Sequence, residues 1–385
     1  MGALAALVFV VSGALLVDTY IGYPLLLHVI ARRWQARRHD DAAAPSVSVI
    51  VAAYNEERCI RAKIDNILGQ AYAEHRVEVV VVSDRSTDRT DDLVRTHPDG
   101  RVRLLVQRER GGKNLALNRG VEEARGDVLV FTDADAMLAP NALATLVAPF
   151  RDAGVGLVSG QGLYGELGDG TTRVVSNAYV RYESFIKQRE AALGFVAAAD
   201  GALYAMRRSA YRELAAREVH DLVHPIQAAL AGWRSAFEPD AFTVEPPSAT
   251  GGGEFRRHVR IIAQGFVVLI RQLPVLLAAG RTREAWMLVS HRLLRWASSL
   301  FLAGALISNA ALAHQGSPWF AATLAGQLAF YGLATAGALG ERFHVRLRLL
   351  AIPYFFCLVS AAGVTGFLQF LRGHHHATWL PSGTR

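Results

Sequence analysis

Apolar residues are concentrated at the two ends of this chain, and that distribution limits the folds it can adopt. Of its 385 residues, 51% are hydrophobic and 19% are charged, and the apolar excess falls in the first 30 residues and the last hundred. Residues 45–250 have the composition of an ordinary α/β protein. Because roughly 20 consecutive apolar residues suffice to cross a bilayer, we expect membrane helices at both ends of one α/β domain.

The apolar ends divide into four segments that predict transmembrane helices, at 3–30, 293–313, 319–340 and 349–371. A cleaved signal peptide is not expected, because no positive charge precedes the first apolar run and the run is too long. Basic residues follow the first segment, at Arg32, Arg33, Arg37 and Arg38, and lie between the last two, at 341–348. Cytoplasmic loops are enriched in Lys and Arg. We therefore expect a multi-pass protein of the inner (plasma) membrane with residues 32–292 in the cytoplasm.

The stretch 255–280 mixes arginines with apolar residues, which is typical of amphipathic helices lying on a membrane surface. A helix buried against the α/β domain is the alternative. The predicted organisation is an N-terminal transmembrane helix at 1–31, a cytoplasmic domain at 32–253, interfacial helices at 254–291, three transmembrane helices at 292–372 and a tail at 373–385. The net charge of +7 is carried by arginines beside the apolar segments. That placement favours anionic lipid headgroups and argues against a nucleic-acid partner.

Between the membrane segments, predicted strands alternate with predicted helices. Apolar, largely β-branched runs at 47–52, 77–82, 103–106 and 127–131 predict strands, and the segments 57–70, 88–96 and 113–125 predict helices. This alternation predicts an α/β fold with a parallel sheet and right-handed crossovers. Polar loops follow the first, second and fourth strands, at 54–56, 83–88 and 133–135. They should converge at one edge of the sheet, although each alone is typical of a turn or a helix cap.

The loop after the fourth strand contains Thr132-Asp133-Ala134-Asp135. Residues two apart on an extended chain point to the same side, so Asp133 and Asp135 can present two carboxylates together. Carboxylate oxygens suit a hard divalent cation such as Mg²⁺ or Mn²⁺, which can bridge to a diphosphate. No GxGxxG motif follows the first strand, and neither GxxxxGKS nor GxxxxGKT occurs in the chain. A dinucleotide dehydrogenase and a P-loop nucleotidase are therefore not expected.

Several motifs follow one another in a specific order between residues 45 and 265. They are Ala53-Tyr54-Asn55-Glu56, the acidic loop 83–88, the run GKNLALNRG at 112–120, Asp133-Ala134-Asp135, the run DGALYAMRR at 200–208, and His220-Asp221. The ordered set resembles membrane-bound family 2 inverting glycosyltransferases with the GT-A fold, of the type that acts in exopolysaccharide and lipid-linked glycan synthesis. The resemblance implies a GT-A domain with a mostly parallel sheet, a Mg²⁺ or Mn²⁺ cofactor and a nucleotide-sugar donor, with UDP as the expected nucleotide.

The resemblance also implies roles for individual residues. Asp221 is the candidate general base that removes the proton of the acceptor hydroxyl; the alternative is an acid that only favours the helix dipole. Asp135, with Asp133, would hold the metal. The implied contacts to the nucleotide sugar come from Tyr54, Glu56, Asp84, Lys113, Asp133, Arg257 and Arg260, and those to the donor sugar and acceptor come from the loop at Asp200 and Gly201. Lys113 could instead be a solvated lysine at a helix start, and Asp200 part of a simple turn.

Two positions depart from the family pattern. His220 stands where the family has an acid before the candidate base, and Ile261 stands where processive synthases have the Trp of Gln-x-x-Arg-Trp. The expected function is transfer of a sugar to a lipid-linked or saccharide acceptor, in cell-surface polysaccharide or glycolipid synthesis. A processive polysaccharide synthase and a non-catalytic membrane subunit that binds nucleotide sugar are the alternatives.

Overall fold

The computed structural model describes residues 2–32, 44–165, 171–245, 251–343 and 348–373. The predicted cytoplasmic residues Arg33, Arg37 and Arg38 lie outside these ranges. The chain begins with helix α1 (Gly2–Val17), a π-helical turn (Asp18–Gly22) and helix α2 (Tyr23–Ala31). Together they form a 30-residue apolar segment, Gly2–Ala31, that is long enough to cross a membrane.

The α/β domain is built on one mixed sheet of eight strands. The strands are β1 (Val47–Ala53), β2 (Val77–Ser83), β3 (Val102–Val106), β4 (Val128–Asp133), β5 (Met137–Leu138), β6 (Val155–Tyr164), β7 (Leu203–Arg207) and β8 (Arg234–Glu245). Their order is β3-β2-β1-β4-β7-β6-β8-β5. The first four strands pair in parallel, which confirms the prediction for this half. In the other half β6 and β8 are parallel, whereas β7 is antiparallel to β4 and β6, and β5 to β8.

Helices cover both faces of the sheet. They are α3 (Ile60–Leu68), α4 (Thr90–Arg95), α5 (Lys113–Glu123), α6 (Ala142–Val147), α7 (Thr171–Ala192) and α8 (His220–Leu230). Every residue of β1 is buried, since Val49 and Val51 face one hydrophobic core and Ile50 and Ala52 face the other. A parallel strand that is covered on both sides needs such a continuous apolar run. A side chain at Gly120 would place its Cβ 2.6 Å from Ile50 Cγ2, so the glycine lets α5 approach the sheet closely.

The chain ends in a set of long helices. They are α9 (Gly251–Ala278), α10 (Thr282–Leu288), a π-helical turn (Val289–Leu293), α11 (Leu294–Trp296), α12 (Ser298–His314), α13 (Pro318–Arg342) and α14 (Arg348–Leu371). By length and composition, the described residues contain three helices that could cross a membrane: Gly2–Ala31, Gly252–Ala278 and Leu349–Leu371. A fourth candidate is the pair Thr282–Trp296 and Ser298–His314, which meet at an angle of 56°.

This set differs from the sequence prediction in two places. Most of the stretch predicted as interfacial helices, 254–291, lies in helix α9, and the rest lies in α10 and the π-helical turn after it. Helix α9 is apolar enough to be a span and packs on α14 through Val259, Ile262 and Phe266 against Ala362. Helix α13, predicted as a span, is not among the candidates. For α9, the difference arises because three of its four arginines, Arg256, Arg257 and Arg260, lie in its N-terminal half, which leaves an apolar stretch behind them that Arg271 alone interrupts. Which helices cross the membrane stays a prediction.

Candidate active site

A cavity of about 370 Å³ opens between the sheet edge and the helices α7, α8 and α9. It brings together nine of the residues that the sequence singled out: Glu56, Lys113, Asp133, Asp135, Asp200, Gly201, Asp221, Arg257 and Arg260. Two others, Tyr54 and Asp84, do not line it. The cavity therefore joins the loops after β1 and β4 to the start of α8 and the first turns of α9.

The Asp133 and Asp135 side chains are both half-buried, while Ala134 between them is buried. β4 ends at Asp133, and Ala134 and Asp135 form the turn that follows it, so the extended geometry expected from the sequence stops at Asp133. Asp133 forms an ion pair with Lys113, whose Nζ lies 2.5 Å from Oδ1. Lys113 begins α5 and its ammonium lines the cavity, and its contact with a nucleotide stays a prediction.

A buried lysine that sequence reasoning missed supports this loop from below. Lys63 on α3 is fully buried, and its Nζ donates to Thr132 Oγ1 at 2.8 Å and to the carbonyl oxygen of Ala136. Burial lowers the pKa of Lys63 to about 7, against the opposing pull of the Asp133 and Asp135 charges. The signal was present in the sequence, because Lys63 interrupts the apolar helical spacing of Ile60, Ile64 and Ile67.

The donor set of the loop suits a hard divalent cation. Asp133 and Asp135 offer carboxylate oxygens, which are the ligands that Mg²⁺ and Mn²⁺ prefer. Within the described residues, no group of three His, Cys, Asp or Glu side chains is placed to hold a metal ion. Two carboxylates leave most coordination positions of such a cation to other oxygens. The residues therefore fit a metal that is shared with a phosphate ligand rather than one enclosed by the protein.

Asp221 lies in the first turn of α8 and faces the same cavity. Burial raises its pKa, while the positive charges of Lys113 and Arg292 oppose the rise. Its backbone carbonyl accepts a hydrogen bond from Ala199 N at 2.7 Å, which ties the start of α8 to the loop at Asp200 and Gly201. A Cβ added at Gly201 would lie 3.2 Å from Asp221 Oδ2. The glycine therefore leaves room for the carboxylate.

We expect Gly201→Ala to lower kcat about tenfold without weakening nucleotide binding. The added methyl group crowds Asp221 Oδ2, and a displacement of well under 1 Å in a reacting group costs roughly this much. Steady-state kinetics and nucleotide binding by calorimetry would check it. Gly100→Ala is the matched control, because a Cβ at Gly100 meets nothing within 4 Å. Equal kcat values for the two variants would contradict the expectation that a methyl group at position 201 displaces Asp221.

The Asp200 carboxylate contacts its own loop, β6 and α7. Oδ1 accepts from Ala202 N at 3.1 Å, Oδ2 accepts from Gly162 N at 2.8 Å, and the Lys187 ammonium lies 4.0 Å away. The bond to Ala202 is the turn contact, and the other two connect the loop to neighbouring elements. Glu245, at the end of β8, also lines the cavity, and burial raises its pKa to about 8. Glu245 was not predicted, since nothing in the sequence marks the end of β8 as part of the site.

His220, which replaces an acid of the family pattern, is buried against an aromatic stack. Its ring lies parallel to Tyr204, with centroids 5.6 Å apart, and Tyr204 in turn shares a hydrogen bond of 2.9 Å with His224 Nδ1. Burial holds the pKa of His220 well below its usual value, with the Lys113 charge adding to the effect. His220 is therefore neutral at neutral pH and lines the cavity beside Asp221.

Asp84 is buried beneath the loop that leads into α5. Its carboxylate accepts hydrogen bonds from Gly111 N at 2.7 Å, from Gly112 N at 3.0 Å and from Gln107 Nε2 at 3.0 Å. Gly112 has a φ of +90°, which a residue without a Cβ adopts readily. The observed role of Asp84 is thus to fix this loop, and its contact with a nucleobase stays a prediction. Nearby, the Arg110 guanidinium stacks on the Tyr54 ring at 3.8 Å.

We expect Asp84→Asn to destabilise the protein by about 1–3 kcal/mol, because an amide nitrogen would face the backbone donors that the carboxylate now satisfies. The unfolding midpoint of the purified full chain, followed by tryptophan fluorescence, would fall. Asp92→Asn is the matched control, since Asp92 is 74% exposed and pairs with Arg95 at the surface. A midpoint that falls equally in both variants would contradict the role of Asp84.

The Asp-x-Asp loop that follows β4 thus shares one cavity with Asp221 at the start of α8. Residues 48–215 match the family described as Glycosyl transferase family 2. Together with the relatives below, this match supports a family 2 glycosyltransferase domain over these residues.

Three relatives illustrate the similarity. Over 231 residues the chain is 25% identical to poly-beta-1,6-N-acetyl-D-glucosamine synthase of Staphylococcus aureus, covering 58% of this chain and 56% of that protein. It therefore spans little more than half the length of that relative. Over 96 residues it is 36% identical to the probable glycosyltransferase YdaM of Bacillus subtilis, covering 24% and 23% of the two chains. A mannosyltransferase from Pyrobaculum calidifontis, solved with GDP-Man and Mn²⁺, superposes with a TM-score of 0.69 and 27% identity over 94% of this chain and 99% of that one.

Proposed function

We propose that this glycosyltransferase moves a sugar from a nucleotide-diphosphate sugar to a hydroxyl of a lipid-linked or saccharide acceptor, with inversion at the anomeric carbon. The observation that carries the proposal is the shared cavity of Asp133 at the end of β4, Asp135 in the turn after it, and Asp221 on α8. The resemblance favours a UDP-sugar. The similarity to a mannosyltransferase solved with GDP-Man makes a GDP-sugar the competing donor.

The donor half of the site has to accommodate a diphosphate that leaves with negative charge. A divalent cation on Asp135 and Asp133 would act there as a Lewis acid that neutralises this charge. Lys113, Arg257 and Arg260 add positive charge to the same cavity. Arginine suits phosphate especially well, because its planar fork can donate two parallel hydrogen bonds. These side chains would bind and orient the diphosphate.

The acceptor half of the site requires a base. Asp221 would take the proton of the acceptor hydroxyl as its oxygen bonds to the anomeric carbon and the bond from that carbon to the diphosphate breaks. Its raised pKa makes the carboxylate a stronger base than an exposed aspartate. A single displacement of this kind needs one base and no covalent intermediate, which accounts for the proposed inversion.

The membrane helices would hold the cavity close to the inner leaflet. Residues of α9 and α14, including Ile262 and Val359, form one side of the cavity, and both helices are apolar enough to cross a membrane. We place the α/β domain in the cytoplasm, where nucleotide sugars are made, and the acceptor at the membrane surface. The reaction would then serve cell-surface polysaccharide or glycolipid synthesis.

Processive synthesis is a second candidate, favoured by the similarity to poly-beta-1,6-N-acetyl-D-glucosamine synthase. Ile261 lines the cavity at the position where processive synthases have Trp. An aliphatic side chain offers a sugar no aromatic ring on which to stack, so we favour transfer of single sugars. Mass spectrometry of the products formed with excess donor would distinguish the two functions. Polymer would indicate processive synthesis, and products extended by one sugar would indicate transfer of single sugars.

The proposal is tested by incubating the purified full chain with Mn²⁺ or Mg²⁺ and a panel of UDP- and GDP-sugars, with and without membrane lipid extract. We expect nucleotide release from one donor class, stimulated by the lipid extract and abolished by EDTA. Release that continues undiminished in EDTA, or no metal-dependent binding of any nucleotide, would contradict it.

A further inference from the structure

The cavity extends from Asp221 toward the membrane helices. Its far end, here called the membrane-side pocket, is lined by Tyr179 and Glu183 of α7, by Arg292 and Arg295, and by Phe355 of α14. These five residues have no part in the donor chemistry proposed above. Their charges therefore need a separate explanation.

The charged groups at this end carry an excess of positive charge. Glu183 contacts Arg295 Nη1 through Oε1 and lies 3.9 Å from Arg292 Nη2 through Oε2. His291, behind them, places Nε2 3.1 Å from Glu183 and Nδ1 2.7 Å from Glu190. Among the charged side chains that line this end of the cavity, two arginines, Arg292 and Arg295, thus face one carboxylate, Glu183.

Arg295 also has hydrogen-bond donors that no described residue satisfies. Arg295 is 7% exposed, yet its Nε and Nη2 have no hydrogen-bond partner within the described part of the chain. The Nε of Arg292 likewise has no partner there. Buried donors are nearly always paired, and leaving one unpaired costs free energy. A guanidinium fork matches the oxygens of a phosphate. The membrane-side pocket is therefore suited to an anion.

The location of these arginines relates the anion to the transfer reaction. Arg292 lies on the π-helical turn Val289–Leu293, and such turns are frequent at functional sites. Its charge is also one of those that oppose the rise in the pKa of Asp221. One cavity of about 370 Å³ contains the pocket and Asp221, so a single molecule can contact both.

We propose that Arg292 and Arg295 bind a phosphate group of the acceptor, which is therefore a phosphate-bearing saccharide whose hydroxyl reaches Asp221. This inference rests on the proposed function and specifies its acceptor. The phosphate could belong to a membrane lipid or to a soluble sugar phosphate. Phe355 and Val359 belong to a helix that is apolar enough to cross a membrane, which favours the lipid source.

Binding of simple phosphates to the full chain in nanodiscs of zwitterionic lipid tests this proposal. The probes are octyl phosphate, methyl phosphate, octanoate and octanol, measured by calorimetry. We expect octyl phosphate to bind, octanol not to bind, and Arg295→Gln and Arg292→Gln each to weaken octyl phosphate about tenfold or more. Tighter binding of octyl phosphate than of methyl phosphate supports a lipid source, and equal binding supports a soluble one.

Three results would overturn the inference: binding of octyl phosphate that both variants leave unchanged, octanoate or octanol binding as tightly as octyl phosphate, or no binding of either phosphate.

Arg292→Gln is the second variant in case Arg295→Gln fails to fold, because Arg292 lies farther from Glu183 than Arg295 does and its loss should disturb the packing less. Arg283→Gln is the matched control, since Arg283 is 43% exposed and pairs with Glu284 outside the cavity. Nucleotide binding in Mn²⁺ is measured on every variant. If the unsubstituted chain binds no nucleotide in Mn²⁺, the proposed function is contradicted. If the arginine variants bind nucleotide and octyl phosphate as the unsubstituted chain does, only the proposal that Arg292 and Arg295 bind phosphate is contradicted.

Discussion

Replacing Asp221 by Asn is expected to lower kcat about 1000-fold or more while nucleotide binding stays within a few-fold of the parent chain. The loss follows from removal of the only group assigned to accept the hydroxyl proton, since general base catalysis contributes about 100- to 10,000-fold. Nucleotide binding should persist because Asp221 lies on α8, across the cavity from the Asp133 and Asp135 loop. Nucleotide release and calorimetric binding would be measured on the same preparation.

The pH profile adds a second readout for Asp221. Burial raises its pKa, so the base becomes protonated, and activity falls, at a higher pH than for an ordinary aspartate near 3.9. Glu218→Gln is the matched control, because Glu218 lines the cavity three residues earlier but holds Ala215 N at 2.8 Å. Substantial turnover in Asp221→Asn, or an equal loss in Glu218→Gln, would refute the assignment of the base.

The second large effect is expected from Asp135→Asn, which should weaken nucleotide binding in Mn²⁺ about 100-fold or more and abolish transfer. An amide is a poorer ligand than a carboxylate for a hard cation, and the cation provides the main link between protein and diphosphate. Binding of UDP and GDP would be titrated in Mn²⁺ and again in EDTA. The difference between the two titrations should shrink in Asp135→Asn.

Asp135 and Asp221 are distinguished by comparing their variants. Asp221→Asn should retain Mn²⁺-dependent nucleotide binding and lose turnover, whereas Asp135→Asn should lose both. Asp240→Asn is the control for a carboxylate change on the same domain, since Asp240 is exposed on β8. Mn²⁺-dependent binding that survives in Asp135→Asn would show that the metal site lies elsewhere.

The first half of the fold was predictable because each parallel strand is covered on both faces. Such burial requires the continuous β-branched runs seen in β1 and β2. The antiparallel half was harder to predict, because β5 has two residues and β7 follows a long helix, and neither produces a strong pattern. Helix α9 combines arginines with a long apolar stretch, so its composition fits both a surface helix and a span.

The candidate site divides in the same way. Asp133, Asp135 and Asp221 were predictable because they form local motifs at strand and helix ends. Asp84 illustrates a limit, since its buried contacts to Gly111 and Gly112 depend on a loop that the sequence does not position. Glu245 and the arginines of the membrane-side pocket enter the cavity only through tertiary packing.

The anomeric configuration of the product decides whether transfer is a single displacement with the donor and the base Asp221 in one cavity. Proton NMR would be recorded on the glycoside formed from the donor that supports nucleotide release. We expect a product whose anomeric configuration is opposite to that of the donor, with none formed by Asp221→Asn. A product that retains the configuration of the donor would contradict it.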